Sequence, residues 1–86
     1  MDIKKLMLNG FKYEAVRVTN DNLQDVAEWC SGILENKKVR FSDGDIKIHY
    51  EYAKVGNWIL TYNGFDFFID INKNINSRYR EIKGGE

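Results

Sequence analysis

The stretch Gly56 to Ile71, GNWILTYNGFDFFIDI, is the most apolar run in the chain and contains its plainest turn signal. Asn63 and Gly64 separate two hydrophobic segments, and both tolerate the positive φ that a two-residue type I′ hairpin turn demands. Pairing outward from such a turn sets Tyr62 opposite Phe65, Leu60 opposite Phe67 and Trp58 opposite Ile69. One face then carries three large cross-strand pairs and is expected to be core. The other face pairs Thr61 with Asp66 and Ile59 with Phe68, so it is polar at the turn and apolar away from it.

A chain of 86 residues forms one domain that buries only about 60 to 65% of its unfolded surface, so its core needs large side chains. With 43% hydrophobic and 14% aromatic residues, it has them. Cys30 is the single cysteine and can form no disulfide within the chain. A lone thiol, and a start MDIKKLMLNG without the apolar stretch of a secretion signal, point to a reducing cytoplasm. No apolar run reaches the roughly 18 residues of a membrane span. The 13 basic and 13 acidic side chains cancel, which removes any global field toward nucleic acid or an anionic membrane and leaves recognition to local charge.

Around the central hairpin the chain reads in order. Ile3, Leu6 and Met7 are spaced as on one helix face before Asn9 and Gly10 break the pattern, so residues 1–10 are expected to form a short helix or an extended arm. Phe11 to Val18 reads as a strand whose alternation changes phase near Ala15, where a bulge would reconcile the halves. Thr19 to Gly32 reads as the one main helix. Thr19, Asn20 and Asp21 are good N-caps, Asp21 with Gln24 approximates a capping box, and Gly32 is placed to cap the end. Leu23, Val26, Ala27 and Cys30 form a single apolar stripe. Cys30 is therefore expected as a small core residue, since no base accompanies it as a nucleophile would need, and Trp29 as an anchor at the core's edge.

A second hairpin is expected with Asp43 and Gly44 as its turn, setting Phe41 opposite Ile46 and Val39 opposite Ile48. Ser77 to Ile82 reads as a closing strand, and residues 84–86 as a tail to a single domain spanning 11–83. The expected fold is α+β: one main helix packed on a curled, mostly antiparallel sheet of five to six strands, with a partly closed barrel as its limiting form.

Four segments, EAVRVT at 14–19, NLQDVAEW at 22–29, VGNWIL at 55–60 and NGFDFF at 63–68, followed by Ile75 to Ile82, together resemble a family of small uncharacterised phage and prophage proteins. Its members show a strand with an EAV core, a Thr and an Asn-Leu start to a helix ending near Trp, a G-D-W turn, a G-x-F-[FY] strand and a closing strand with Tyr. Asn57 stands where the family has Asp, and Ile69, Asp70 and Ile71 replace its Cys-Lys-Pro segment. The resemblance implies phage origin and action in the host cytoplasm, and carries no established activity.

Catalysis is not expected. With one His, one Cys and no Cys or His cluster, a zinc site or a Cys-His nucleophile site lacks parts, Gly56 and Gly64 punctuate hairpins, and Asp66 and Asp70 are too far apart along a strand for an acid and base, so a carboxylate-only site is the one catalytic alternative left open. No cofactor and no metal is implied. The favoured reading is a non-enzymatic accessory or anti-defence factor that inhibits a host protein, in the manner of an anti-CRISPR, or sequesters a signal nucleotide. The alternative is a structural or assembly protein of the phage particle. On the polar side of the second hairpin, the expected register sets Arg40 beside Lys47 and Lys38 beside His49, a basic facet suited to an anionic partner (a nucleotide signal, a nucleic-acid backbone or an acidic surface of a host protein) or, more plainly, a solvated edge that discourages aggregation. Ile59 and Phe68, on the face opposite the expected core, are expected to form a homo-oligomer interface unless the closing strand or residues 3–7 cover them.

Overall fold

A computed structural model of the protein describes residues 1–43, 46–70 and 75–82, with residues 43 and 46–49 described by backbone alone. The elements are β1 (Lys4–Leu8), β2 (Phe11–Arg17), α1 (Leu23–Trp29), β3 (Ile33–Glu35), β4 (Lys38–Asp43), β5 (Ile46–Lys54), β6 (Trp58–Thr61), β7 (Phe67–Asp70), a 3₁₀ turn (Ile75–Ser77) and β8 (Arg80–Glu81). The protein is α+β, as expected. Its strands form two antiparallel sheets, ordered β7-β6-β2-β1-β8 and β3-β4-β5, in place of one curled sheet or barrel.

Two two-residue hairpin turns fall where the sequence pattern places none, and the one expected at Asn63–Gly64 does not form. Asn9 (φ 51°) and Gly10 (φ 82°) join β1 to β2 with Leu8 opposite Phe11, so the residues expected as a short helix or arm are an interior strand of the larger sheet. Asn36 (φ 51°) and Lys37 (φ 60°) join β3 to β4 with Glu35 opposite Lys38. At 63–64 only Gly64 has positive φ, and β6 and β7 are joined by five residues, Tyr62 to Asp66. The Asn63 carboxamide closes this loop: Oδ1 accepts the N–H groups of Phe65 (2.9 Å) and Asp66 (2.8 Å), and Nδ2 donates to Asp66 Oδ2 (2.7 Å). An Asx side chain that substitutes for backbone in this way removes the need for a tight turn.

The longer loop moves the pairing by one residue. Leu60 faces Phe68, Ile59 faces Ile69 and Trp58 faces Asp70. A one-residue slip sends a whole set of side chains to the opposite face, so Phe67 and Ile69 lie on the face of Ile59, away from Leu60 and Trp58. Both faces of the five-stranded sheet are consequently apolar, and each has its own core. On one, Val16, Ile59 and Phe67 pack with Val26, Ala27 and Cys30 of α1 and with Val39, Phe41 and Ala53 of the smaller sheet. On the other, Leu6, Ala15, Trp58 and Leu60 are covered by Ile75 and Tyr79, with Tyr13 and Phe68 packed alongside. β2 serves both faces through Ala15 and Val16, both fully buried, and pairs with β1 and β6 in unbroken register, so the expected bulge is absent.

The helix is shorter than its sequence signature. It starts at Leu23, and Asn22 precedes it with its side chain turned back: Oδ1 accepts the Thr19 N–H (2.8 Å) and Nδ2 donates to the Arg17 carbonyl (2.8 Å), so no capping box forms. The apolar stripe is as read, with Val26, Ala27 and Cys30 buried, and Trp29 is edge-on to Phe67 at 5.0 Å. Ser31 (φ 56°) takes the left-handed position at the helix end, while the Gly32 N–H reaches the Ala27 carbonyl (2.7 Å). Gly32 is needed for another reason: a Cβ there would fall on the Arg40 carbonyl oxygen of β4. The helix is thus pressed against the smaller sheet.

Two stability measurements test this architecture. Trp58, 8% exposed in the second core, should cost about 3–5 kcal/mol when changed to Ala, read by urea denaturation; a near-normal midpoint would contradict its placement. Asn63→Ala should cost about 1–2 kcal/mol despite the residue's exposure, because the loop amides lose their acceptor. Asn63→Asp, which keeps the acceptor, should recover part of that loss.

Candidate functional site

The smaller sheet has one face in the first core and one face open. Val39, Phe41 and Ala53 point inward, and Glu51 shares their side, where its carboxylate accepts the Ile69 N–H (3.3 Å) at the edge of β7. The open face carries three cross-strand rows on β4 and β5: Lys38 opposite Lys54, Arg40 opposite Tyr52, and Ser42 opposite Tyr50. β3 adds Ile33 beside Arg40 and Glu35 beside Lys38. Tyr50 and Tyr52 are each 51% exposed and Ile33 is 56% exposed.

This arrangement corrects the expected basic facet. Phe41 pairs with Glu51 and Val39 with Ala53, where Ile46 and Ile48 were expected, and the register shifts between Ser42 and Asp43. The difference is an odd number of residues, which sends Tyr50 and Tyr52 outward. Arg40 therefore faces Tyr52 and not Lys47, and Lys38 faces Lys54 and not His49. The side chains of Lys47 and His49, like Gly44 of the expected turn, lie outside the described residues. Lys54, Tyr50 and Tyr52 are the surface residues that sequence reasoning missed, and only the strand register could have found them.

The cations on this face have different roles. Arg40 is engaged: its guanidinium carbon lies 4.8 Å from the centroid of the Tyr50 ring, and Nε is 3.5 Å from Glu35. Lys38 and Lys54 are exposed and have no carboxylate partner among the described residues, with Lys37 adjoining them in the β3–β4 turn. Like charges set directly opposite destabilise a strand pair by a fraction of a kcal/mol, so the Lys38–Lys54 row is held at a small cost. Beyond Tyr50 the face opens into a shallow cleft of about 290 Å³ lined by Ser31, Gly32, Ile33, Ser42 and Tyr50 among others.

The expected interface at Ile59 and Phe68 does not form a surface. Ile59 is fully buried in the first core, and Phe68 lies on the opposite face of the sheet, partly buried beside Tyr13 and covered in part by the C-terminal segment. The uncovered aromatic side chains of that sheet are Phe11, Tyr62 and Phe65 near the hairpin ends. A larger cleft of about 550 Å³ above Trp58 mixes Lys4 and Arg17 with Asp2, Asp21 and Asp25, so its charges nearly cancel.

Three other described groups that can carry chemistry are engaged within the fold. Asp66 is tied to Asn63. Asp70 is buried at the far end of β7, 3.7 Å from Arg78 and hydrogen-bonded to Tyr79, whose hydroxyl is pushed above its ordinary pKa first by burial and then by the Asp70 charge. Burial pushes the Cys30 thiol up to about 11, opposite to what a nucleophile needs. Among the described residues no three His, Cys, Asp or Glu side chains converge as a metal site requires, and no helix is long and apolar enough to cross a membrane. No protein-family model, no curated protein and no solved structure matches the chain.

Cys30 supplies a test. The folded state holds the thiol proton more tightly than the unfolded chain, so stability is on its plateau below pH 9 and falls as pH rises from 9 to about 11. The decline should be smaller in Cys30→Ala, measured by denaturation across that range, and native Cys30 should resist alkylation at pH 8.

Proposed function

We propose that this protein is a non-catalytic binding protein that holds an anionic partner on the open face of its β3-β4-β5 sheet. The observation that carries the reading is the Lys38–Lys54 row: two exposed cations opposed across strands in a protein of zero net charge, beside Arg40 and two half-exposed tyrosines. A local basic patch on a neutral protein attracts anions at short range without long-range steering. Action as an accessory or anti-defence factor in a host cytoplasm, against a host protein or a signal nucleotide, is consistent with the phage-protein resemblance, which is its sole support.

The test is retention on a sulfated polysaccharide column. The parent should be retained at low salt, and Lys38→Gln with Lys54→Gln should elute distinctly earlier, while stability is unchanged or rises by a few tenths of a kcal/mol as the like-charge pair is relieved. Neutralising Lys5 and Lys12, on β1 and β2 of the other sheet, should leave elution almost unchanged. Equal elution of parent and the Lys38/Lys54 variant would overturn the reading.

A further inference from the structure

Resting on that reading, we infer that the anionic partner is a single strand of nucleic acid, with bases stacked on Tyr50, Tyr52 and Arg40 and the phosphate backbone running toward Lys38 and Lys54. The open face combines the two components such binding uses, cations for the backbone and planar groups for the bases. Tyr50 and Tyr52 are two residues apart on one strand, so their rings rise from the same face about 6.6–6.8 Å apart along it. Each is 51% exposed, which leaves ring surface open to a partner. Arg40 over the Tyr50 ring is itself a planar stacking surface, held in place by Glu35.

The face is also graded along its length. Cations cluster where β3 turns into β4, at Lys37, Lys38 and Lys54. The other end, at Ser42 and Tyr50, opens into the cleft of about 290 Å³ behind Ile33, where Arg40 is the one charged residue among the described lining residues. A phosphate is drawn to the first end, and a ring with hydrogen-bonding edges fits the second, where the Ser42 hydroxyl is exposed. The three rows span about 13 Å. A duplex keeps its bases stacked inside and could meet only the cations, and an acidic protein surface would leave the rings and the cleft without a role.

Fluorescence anisotropy with a labelled homopolymeric strand of about 12 nucleotides, within the range of single-domain site sizes, tests this. Tyr50→Ala and Tyr52→Ala should each weaken binding about fivefold to 150-fold, as loss of one base stack does, with column retention unchanged. Tyr50→Phe and Tyr52→Phe should bind like the parent, since the ring and not the hydroxyl is used, and they guard against misfolding of the Ala variants. The Lys38/Lys54 variant should flatten the salt dependence by up to about 0.7 in log-log slope per lost phosphate contact. Unimpaired strand binding by the Ala variants, or a duplex of equal length bound as tightly as the strand, would overturn the stacking inference and leave the anionic face intact. Equal column retention of the parent and the Lys38/Lys54 variant would overturn both.

Discussion

The carboxamide of Asn63 decides how this protein divides its apolar residues. By taking the Phe65 and Asp66 amides, it lets five residues connect β6 and β7 where two could have done so. Thr61, almost fully buried at the loop's base, supports it: the Gly64 N–H donates to its Oγ1 (2.9 Å), and that hydroxyl donates to Asn63 Oδ1 (3.3 Å). The register that follows puts Ile59, Phe67 and Ile69 on one face and Trp58, Leu60 and Phe68 on the other. A sheet apolar on both sides must be covered on both sides. That requirement fixes the position of every other element: α1 and the smaller sheet over one face, the C-terminal segment over the other.

Covering the first face leaves the smaller sheet with an inward and an outward side. Its inward side is built from Val39, Phe41 and the small Ala53, with Glu51 reaching across to the exposed edge of β7. An edge amide satisfied by a carboxylate is one less site for pairing with another chain. Gly32 allows the helix end to lie directly against β4. With the inward side so occupied, Arg40, Tyr50 and Tyr52 lie on the outward side, where Arg40 packs over Tyr50 and both tyrosines are half exposed. The open basic and aromatic surface is therefore a consequence of how the core is closed, and its composition, not its mere exposure, argues for use in binding.

The same geometry places Cys30 and the Asp70, Arg78 and Tyr79 group inside or beside the two cores. Cys30 lies on the buried stripe of α1, where removal from water opposes the thiolate. Asp70, Tyr79 and Arg78 form a small polar group at the edge of the second core, joining the C-terminal segment to β7. These are the polar contacts a short tail needs to stay on an apolar face.

Much of this was legible in the residues themselves. Composition implied a core rich in large side chains, the three-to-four spacing of Leu23, Val26, Ala27 and Cys30 identified a helix and its buried face, and alternation located most strands, because each of these properties is local. The α+β class follows from them. Register was not legible. Asn63–Gly64 and Asp43–Gly44 have the composition of tight turns, yet Asn63 spends its side chain on a longer loop and the β4–β5 pairing shifts at Ser42, while Asn9–Gly10, which read as a helix breaker, is a true two-residue turn. Strand side chains alternate with a period of two, so an odd shift in either hairpin exchanges inside for outside. That exchange set Phe67 and Ile69 on the face of Ile59, brought Tyr50 and Tyr52 to the surface and gave Lys38 a lysine partner in Lys54. The sequence determined that each strand carries two alternating sets of side chains and that large apolar ones must find a core; only the tertiary pairing, set at β6–β7 by side-chain hydrogen bonds of Asn63 and at β4–β5 by a register shift, neither of which periodicity encodes, decided which of the two sets went where.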